Sequence, residues 1–246
     1  MNAFPRSSKA ASVVRYSEAN VPTEYGTFRV VVYREDLGAR NGFHDHVAVV
    51  KGDVRGDDVL VRVHSECMTG EVLHSMKCDC REQLDLGLRR IAEEGRGAVF
   101  YLRQEGRGIG LGDKIRAYAL QERGVDTVDA NRMLGLPDDS RRYDVAAFMC
   151  ADLGIRSVVL LTNNPLKVQA LRAEGVPVAR RVSAFVEPNE HNRGYLIAKT
   201  RRMGHHLDIA ALVAGDHVGP IEPMMTETAD GEPIAPDGDT KVRPLR

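Results

Sequence analysis

The stretch Leu84–Arg103, LDLGLRRIAEEGRGAVFYLR, changes its hydrophobic period halfway along. Leu84, Leu88, Ile91 and Ala92 recur at three- and four-residue spacing, which puts them on one helical face, and Gly95 is the residue type that closes a helix in the left-handed conformation. Gly97–Arg103 then runs as a short apolar segment bounded by turn residues, the pattern of a buried strand. A helix feeding a buried strand implies a sheet covered by helices, and the flanks extend that reading. On the N-terminal side, Thr27–Arg34, His46–Lys51 and Val59–His64 are Val- and Phe-rich runs separated by Lys51-Gly52-Asp53 and Gly56-Asp57-Asp58, which predicts strands of a mostly antiparallel region. On the C-terminal side, helices are expected over Asp113–Arg123 before Gly124 and from about Ser140 to Leu153 before Gly154. Ser157–Leu161 follows as a strand, then a helix opened by Pro165, facing inward with Val168 and Leu171 and closed by Gly175. The fold class predicted is α/β (α+β), a β-rich N-terminal part followed by alternating helices and strands.

The chain has 246 residues, of which 43% are hydrophobic and 28% charged, with 34 Lys+Arg against 35 Asp+Glu. A formal charge of -1 lacks the basic excess that a nucleic-acid coat or a polybasic membrane surface needs, so no nucleic-acid or membrane partner is expected. Four cysteines, no apolar run long enough for a span and no secretory-type leader point to a reducing, cytoplasmic setting, where cysteines act as metal ligands, catalytic groups or core residues. Residues 1–12 carry no periodicity and are expected to be a flexible leader. The ordered domain is expected over residues 13–207. Residues 208–246 hold five of the eleven prolines amid Gly, Asp and Thr, a composition that predicts a disordered tail or, failing that, a partner site.

Three of the four cysteines, Cys67, Cys78 and Cys80, lie within fourteen positions. Thiolates favour zinc, and closed structural sites commonly pair two C-x-x-C arms, a pairing that this sequence lacks. Three cysteine ligands with a fourth position open to water form a catalytic arrangement, in which the ion lowers the pKa of bound water from about 15.7 to about 7. Two readings stay open beside it: unmetallated cysteines, and a closed site completed by His64 or His74. Cys150, in an apolar helical stretch, reads as a core residue.

Three further polar constellations accompany the cysteines. Arg103-Gln104-Glu105-Gly106-Arg107-Gly108-Ile109-Gly110-Leu111-Gly112, followed by Lys114 and Arg116, suits close backbone approach to an anion at a helix start, or is simply a glycine-rich connector. Pro137-Asp138-Asp139-Ser140-Arg141-Arg142-Tyr143 reads as a capped helix start with solvated arginines. Leu161-Thr162-Asn163-Asn164-Pro165-Leu166-Lys167 is a strand-to-helix turn, located where ligands of α/β sheets bind.

These segments together resemble the GTP cyclohydrolase II family. The resemblance runs through His44-Asp45-His46-Val47-Ala48, Arg62-Val63-His64-Ser65-Glu66-Cys67, Cys78-Asp79-Cys80, Arg103–Leu111, Lys114-Ile115-Arg116-Ala117-Tyr118 and Thr162-Asn163-Asn164-Pro165 to Tyr195-Leu196 and Met203-Gly204-His205, in family-like order and spacing. It implies a homodimeric zinc hydrolase, with one Zn²⁺ per chain and Mg²⁺ accompanying the triphosphate. Such an enzyme opens the guanine imidazole ring of GTP, releases formate and pyrophosphate and leaves 2,5-diamino-6-ribosylamino-pyrimidinone 5'-phosphate at the start of riboflavin synthesis. The chain length implies the form without a dihydroxybutanone-phosphate synthase domain.

Carried over by position, the resemblance implies zinc ligands at Cys67, Cys78 and Cys80. It implies GTP contacts at Arg62, Val63, His64, Ser65, Glu66, Gln83, Glu105, Gly106, Arg107, Thr127, Thr162 and Lys167, and catalytic roles for Asp139 as proton acceptor, Arg141 as nucleophile and Tyr118. Glu105 and Tyr118 are candidates for the proton transfers of ring opening. A guanidinium attacks only beside a base, which Asp139 would supply; the alternative is that Arg141 neutralises charge at the α-phosphate. Arg81 and Arg142 depart from the family pattern, which has a glycine after Cys-Asp-Cys and an acidic residue after the catalytic arginine. A divergent paralogue with an altered product, and an inactive zinc-stabilised GTP-binding regulator, are the other functional readings.

Overall fold

The computed structural model describes residues 13–39, 42–125, 127–137, 139–187, 189, 190, 192 and 226–228. The chain forms β1 (Val13–Thr23), β2 (Gly26–Asp36), β3 (Phe43–Lys51) and β4 (Val59–Ser65), then α1 (Met68–Glu71), α2 (Cys80–Glu94) and β5 (Gly97–Leu102). A 3₁₀ turn at Glu105–Gly108 leads into α3 (Gly110–Gln121) and α4 (Thr127–Met133), and α5 (Asp144–Asp152), β6 (Val158–Leu161), α6 (Pro165–Ala173), β7 (Val178–Val182) and β8 (Thr226–Thr228) follow. The strands make one sheet in the order β1-β2-β3-β5-β4-β6-β7-β8. β1, β2, β3 and β5 pair antiparallel in that order, which agrees with the expectation for Thr27–Arg34 and His46–Lys51, whereas Val59–His64, expected in the same antiparallel region, forms β4 and joins β5, β6 and β7 in a parallel set.

Side-chain alternation divides the sheet into two buried faces. Val61, Val63, Ala98, Phe100, Leu102, Val158 and Leu160 join Val145, Met149, Val168 and Leu171, so α5 and α6 cover one face. The neighbouring residues Val99, Leu60, Val159 and Leu161 turn the other way, toward Leu84, Leu86, Leu88 and Ile91 of α2. Gly95 closes α2 at φ 70°, as its position after the apolar stripe predicted.

The order of the parallel strands determines where a ligand fits. From β4 the chain crosses through α2 to β5 on one side, and from β5 it returns through α3, α4 and α5 to β6 on the other side of β4. The crossover direction therefore reverses at β4, which opens a crevice at the C-terminal ends of β5, β4 and β6.

Several elements differ from the sequence expectation. The sequence expectation places the onset of order near Val13 but no strand over β1, because every one of its residues after Val13 is exposed and no buried alternation marks it. α4 and β7 were not anticipated. The helix expected from Ser140 begins only at Asp144, since Ser140 N donates to Arg107 O and Arg142 N to Gln104 Oε1, drawing this backbone out of helical pairing. Within 208–246, residues Thr226–Thr228 pair antiparallel with β7. The leader 1–12, Tyr195-Leu196, Met203-Gly204-His205 and the rest of 208–246 lie outside the described residues. No helix among the described residues is long and apolar enough to cross a membrane.

Candidate active site

Cys67 is separated from the end of β4 by Glu66 alone, at the crossover point, and caps α1, while Cys78 and Cys80 flank Asp79, the cap of α2. Their sulfurs lie within 4.8 Å of one another, the Cys67–Cys78 pair at 3.7 Å, and all are free thiols. The cradle depends on Gly70: a Cβ there would sit 2.8 Å from Cys78 Sγ and 3.3 Å from Cys67 Sγ. Hydrogen bonds from Cys78 and Cys80 draw Cys67 far below the usual thiol range, and Cys67 in turn pushes Cys78 up to about 11 and Cys80 well above its ordinary value. Such a trio becomes fully ionised only beside a cation, and three converging soft donors suit zinc. His64 and His74 do not join it. His64 Nε2 lies 2.6 Å from Glu71 Oε1, and His74 Nδ1 takes Arg81 Nη1 at 2.5 Å.

Around the thiols the polar residues form two linked groups. On one side, Lys114 from α3 places Nζ 3.1 Å from Cys67 Sγ and 2.8 Å from Glu105 Oε1. Burial opposes the Lys114 charge, but the hydrogen bond to Glu105 and the neighbouring Tyr118 and Cys67 outweigh it and raise its pKa. Glu105 also accepts from Met68 N at 2.6 Å and Gly106 N at 2.8 Å, so both carboxylate oxygens are engaged and it serves as a bridge between α1, the 3₁₀ turn and α3. The Tyr118 ring lies 5.7 Å from Lys114 Nζ and 5.0 Å from Lys77 Nζ.

On the other side, the buried Arg62 lies beneath α2 and donates to Leu161 O at 3.2 Å, Gln83 Oε1 at 2.6 Å and His64 Nδ1 at 3.4 Å. Gln83 in turn donates to Asp79 Oδ2 at 2.5 Å, between Cys78 and Cys80. Burial lowers Arg62 to about 10, leaving it charged at neutral pH, and pushes His64 down to about 4, leaving it neutral. Because His64 Nδ1 accepts, its Nε2–H donates to Glu71, which also accepts from Tyr101 Oη at 2.5 Å. The His64 and Tyr101 rings stack at 5.7 Å. Lys167 of α6 reaches under β4 to Val63 O at 2.8 Å, and buried Thr162 accepts from Asn164 N at 3.1 Å. Ser65 Oγ is buried without a hydrogen-bond partner among the described residues, at the end of β4. Glu66 accepts from Arg103 Nε at 2.8 Å.

Asp139 and Arg141 lie on the segment that replaces the expected helix start. Arg141 N donates to Asp139 Oδ1 at 3.0 Å, and its guanidinium forks onto the same carboxylate. Burial pushes Asp139 up, but the hydrogen bonds and charge of Arg141, with Arg107 nearby, bring it below the ordinary carboxylate range. The segment rests on the glycine turn: Ser140 N reaches Arg107 O at 3.0 Å, and a Cβ on Gly108, at φ 90°, would meet Ser140 at 3.1 Å. Gly106 and Arg107 both hold left-handed backbone, φ 61° each. Thr127 opens α4, which packs on α3, and its side chain lies outside the described residues.

The structure thus brings Arg62 to Glu66, Gln83 and Glu105 to Arg107 to the side of the thiols, sets Thr162 after β6 and Lys167 on Val63 of β4, and holds Asp139 and Arg141 against the Arg107 turn. Sequence reading missed Glu71, Asp79 and Gly70 as site builders. Asp79 alone carried a signal, its place between two cysteines. The departure at Arg142 has a structural answer: its guanidinium is held by Glu35 Oε1 at 2.9 Å and Asp144 Oδ2 at 2.5 Å. Glu35, His44 and His46 form a second convergent set. His46 Nδ1 accepts from Arg103 N at 3.1 Å, however, so its Nε2 carries the proton toward Glu35 and offers no lone pair to a metal.

A family model described as GTP cyclohydrolase II matches residues 14–183. The chain is 48% identical over 198 residues to GTP cyclohydrolase-2 of Actinobacillus succinogenes, covering 80% of this chain and 89% of that one. It is 48% identical over 199 residues to GTP cyclohydrolase-2 of Haemophilus influenzae, covering 80% and 90%. Riboflavin biosynthesis protein RibBA of Bacillus cereus is 47% identical over 198 residues, covering 80% of this chain and 49% of that one. The matched span runs from β1 to the end of β7 and contains the thiols, the glycine turn and the Asp139–Arg141 fork, and with it the chain belongs to the GTP cyclohydrolase II family.

Proposed function

We propose that the chain is a zinc hydrolase that opens the imidazole ring of GTP, releasing formate and pyrophosphate and leaving the 2,5-diamino-6-ribosylamino-pyrimidinone 5'-phosphate used for riboflavin. The observation that carries this reading is the convergence of three free thiols at the β4 crevice, with a guanidinium–carboxylate fork held on the adjoining turn. Cys67, Cys78 and Cys80 would hold the ion, which when bound supplies a Lewis acid able to generate hydroxide at neutral pH. Mg²⁺ is expected to arrive with the triphosphate, as is usual for that ion.

The chain's own residues supply the rest. Arg62 and Gln83 organise the wall under α2, and Ser65 Oγ, which has no hydrogen-bond partner among the described residues, offers a contact at the strand end. Arg107 and Arg141 supply positive charge for phosphates, while Asp139 lies where it can take a proton from Arg141 during attack on the α-phosphate or orient it as a charge clamp. Tyr118, beside two ammonium groups, is the better placed proton donor for ring opening, because Glu105 already accepts three hydrogen bonds. Arg142 spends its charge on Glu35 and Asp144, which favours an unaltered product over a partition shifted by extra positive charge.

The test is to incubate zinc-replete protein with GTP and Mg²⁺ and follow formate, pyrophosphate and the pyrimidine chromophore together, with Cys78→Ser as control. Formate and pyrophosphate appearing together, with formate lost in the control, support the reading. Pyrophosphate without formate points to an altered ring-opening step, and bound GTP with neither product points to a regulator.

A further inference from the structure

We propose that Gln104 is a positioning residue for pyrophosphate release: its carboxamide holds the segment that carries Asp139 and Arg141 against the glycine turn. This inference rests on the function proposed above. Gln104 stands between the end of β5 and the 3₁₀ turn. Its Nε2 donates to Arg142 O at 2.7 Å, and its Oε1 accepts from Arg142 N at 3.0 Å. One side chain thus pairs with both the N–H and the C=O of a single residue, as a neighbouring strand would. Only Gln and Asn present a donor and an acceptor side by side on one planar amide, as a peptide group does, and Asn is one methylene shorter.

The segment needs such an anchor because residues 139–143 belong to no helix or strand. Ser140 N is held by Arg107 O at 3.0 Å, and Arg142 is held by Gln104. Arg141 lies between these two anchored residues, so the backbone that carries its guanidinium, itself forked onto Asp139, is held on both sides by residues 104–107. Arg142 ties the far side of the segment to β2 and α5 through Glu35 and Asp144. The same turn carries Glu105, whose carboxylate reaches Lys114 and Met68 beside Cys67. Gln104 thereby ties the Asp139–Arg141 fork, which would meet the phosphates, to the turn that reaches the thiol cradle. Misplacement of a reacting group by about 1 Å costs on the order of a hundredfold in rate, so the clamp acts on turnover rather than on substrate affinity.

The experiment compares the parent with Gln104→Ala and Gln104→Glu. In Gln104→Ala, kcat for pyrophosphate release is expected to fall by about ten- to a hundredfold while KM for GTP stays within about twofold. Zinc content and melting temperature are expected to match the parent. In Gln104→Glu an ionised carboxylate faces Arg142 O without a proton to donate, whereas a protonated carboxyl restores the donor. The variant-to-parent rate ratio is therefore expected to climb as pH falls. Amide exchange at residues 140–142 follows the clamp without turnover, and is expected to accelerate in Gln104→Ala. The proposal is overturned by a parent-like kcat in Gln104→Ala, by a rate loss matched by loss of zinc or of thermal stability, by a pH-independent Gln104→Glu ratio, or by unchanged exchange. If the parent itself turns over no GTP, the functional reading fails, and the exchange measurement still decides whether the clamp exists.

Discussion

At the scale of single residues, the site is made by groups whose ordinary preferences are overridden by neighbours. His64 is the clearest case. Burial lowers its pKa to about 4, opposed by the hydrogen bond to Glu71 and reinforced by the charges of Arg62 and Lys167; Tyr101 of β5 stacks on it from the other side. The unfolded chain protonates this imidazole near pH 6.5 and the folded one only near 4, so between those values the unfolded state binds more protons and stability falls with falling pH. The contribution is on the order of 3 kcal/mol across the window. His64→Gln keeps a donor for Glu71 and removes the titration, so its melting temperature is expected to decline less than the parent's between about pH 7 and about pH 5. Equal declines in the two proteins would show that His64 does not govern the acid response. Gly70 yields a second prediction. A methyl group there must displace Cys78 Sγ from 2.8 Å, so Gly70→Ala is expected to weaken zinc retention by about ten- to a hundredfold in competition with a chromophoric chelator.

At the scale of elements, α6 shows how a cap places a functional side chain. Asn164 Oδ1 accepts from Leu166 N at 2.9 Å and Pro165 opens the first turn, so the helix starts at a defined residue and delivers Lys167 to Val63 O. Asn164→Ala is expected to cost about 1 kcal/mol in denaturant unfolding and to weaken GTP binding as well, since Lys167 loses its registered origin. An affinity unchanged despite the stability loss would separate the cap from the site. This turn was legible in the sequence because its instructions are local: a side-chain cap, a proline and two inward apolar residues within one stretch. The α2–β5 unit was legible for the same reason, with its apolar stripe and Gly95. What stayed hidden depends on distant partners. β1 shows no alternation because it is exposed after Val13, and the stretch from Ser140 is not helical because its amides pair with Arg107 and Gln104, more than thirty residues earlier. Among site residues, the cysteines and the glycine turn announced themselves by spacing, whereas Glu71 is recruited only where His64 and Tyr101 meet across two strands.

At the scale of the whole molecule, the thiol cradle joins parts of the chain that the hydrophobic layers leave separate. Cys67 follows the central strand β4, while Cys78 and Cys80 belong to the start of α2, which covers one sheet face. A bound cation would fasten that end of α2 to the sheet at the crevice, where the described contacts are polar rather than apolar. The antiparallel β1–β3 region, by contrast, closes its core through Val31, Tyr33, Ala48 and Val50 without touching the cradle. Metal removal should therefore loosen the molecule unevenly. About one zinc per chain is expected on purification, because the His46 tautomer disqualifies the Glu35–His44–His46 set, and Cys78→Ser is expected to bring that content near zero. Chelation is expected to lower the melting temperature, with recovery that depends on free zinc concentration as binding linkage requires, and to abolish formate release. Hydrogen exchange after chelation should rise across residues 67–83 and remain unchanged across β2 and β3. A uniform rise over both regions would mean that the metal supports the global fold rather than the crevice. Two zinc ions per chain, one surviving Cys78→Ser, would restore the histidine set as a ligand site and overturn the tautomer argument.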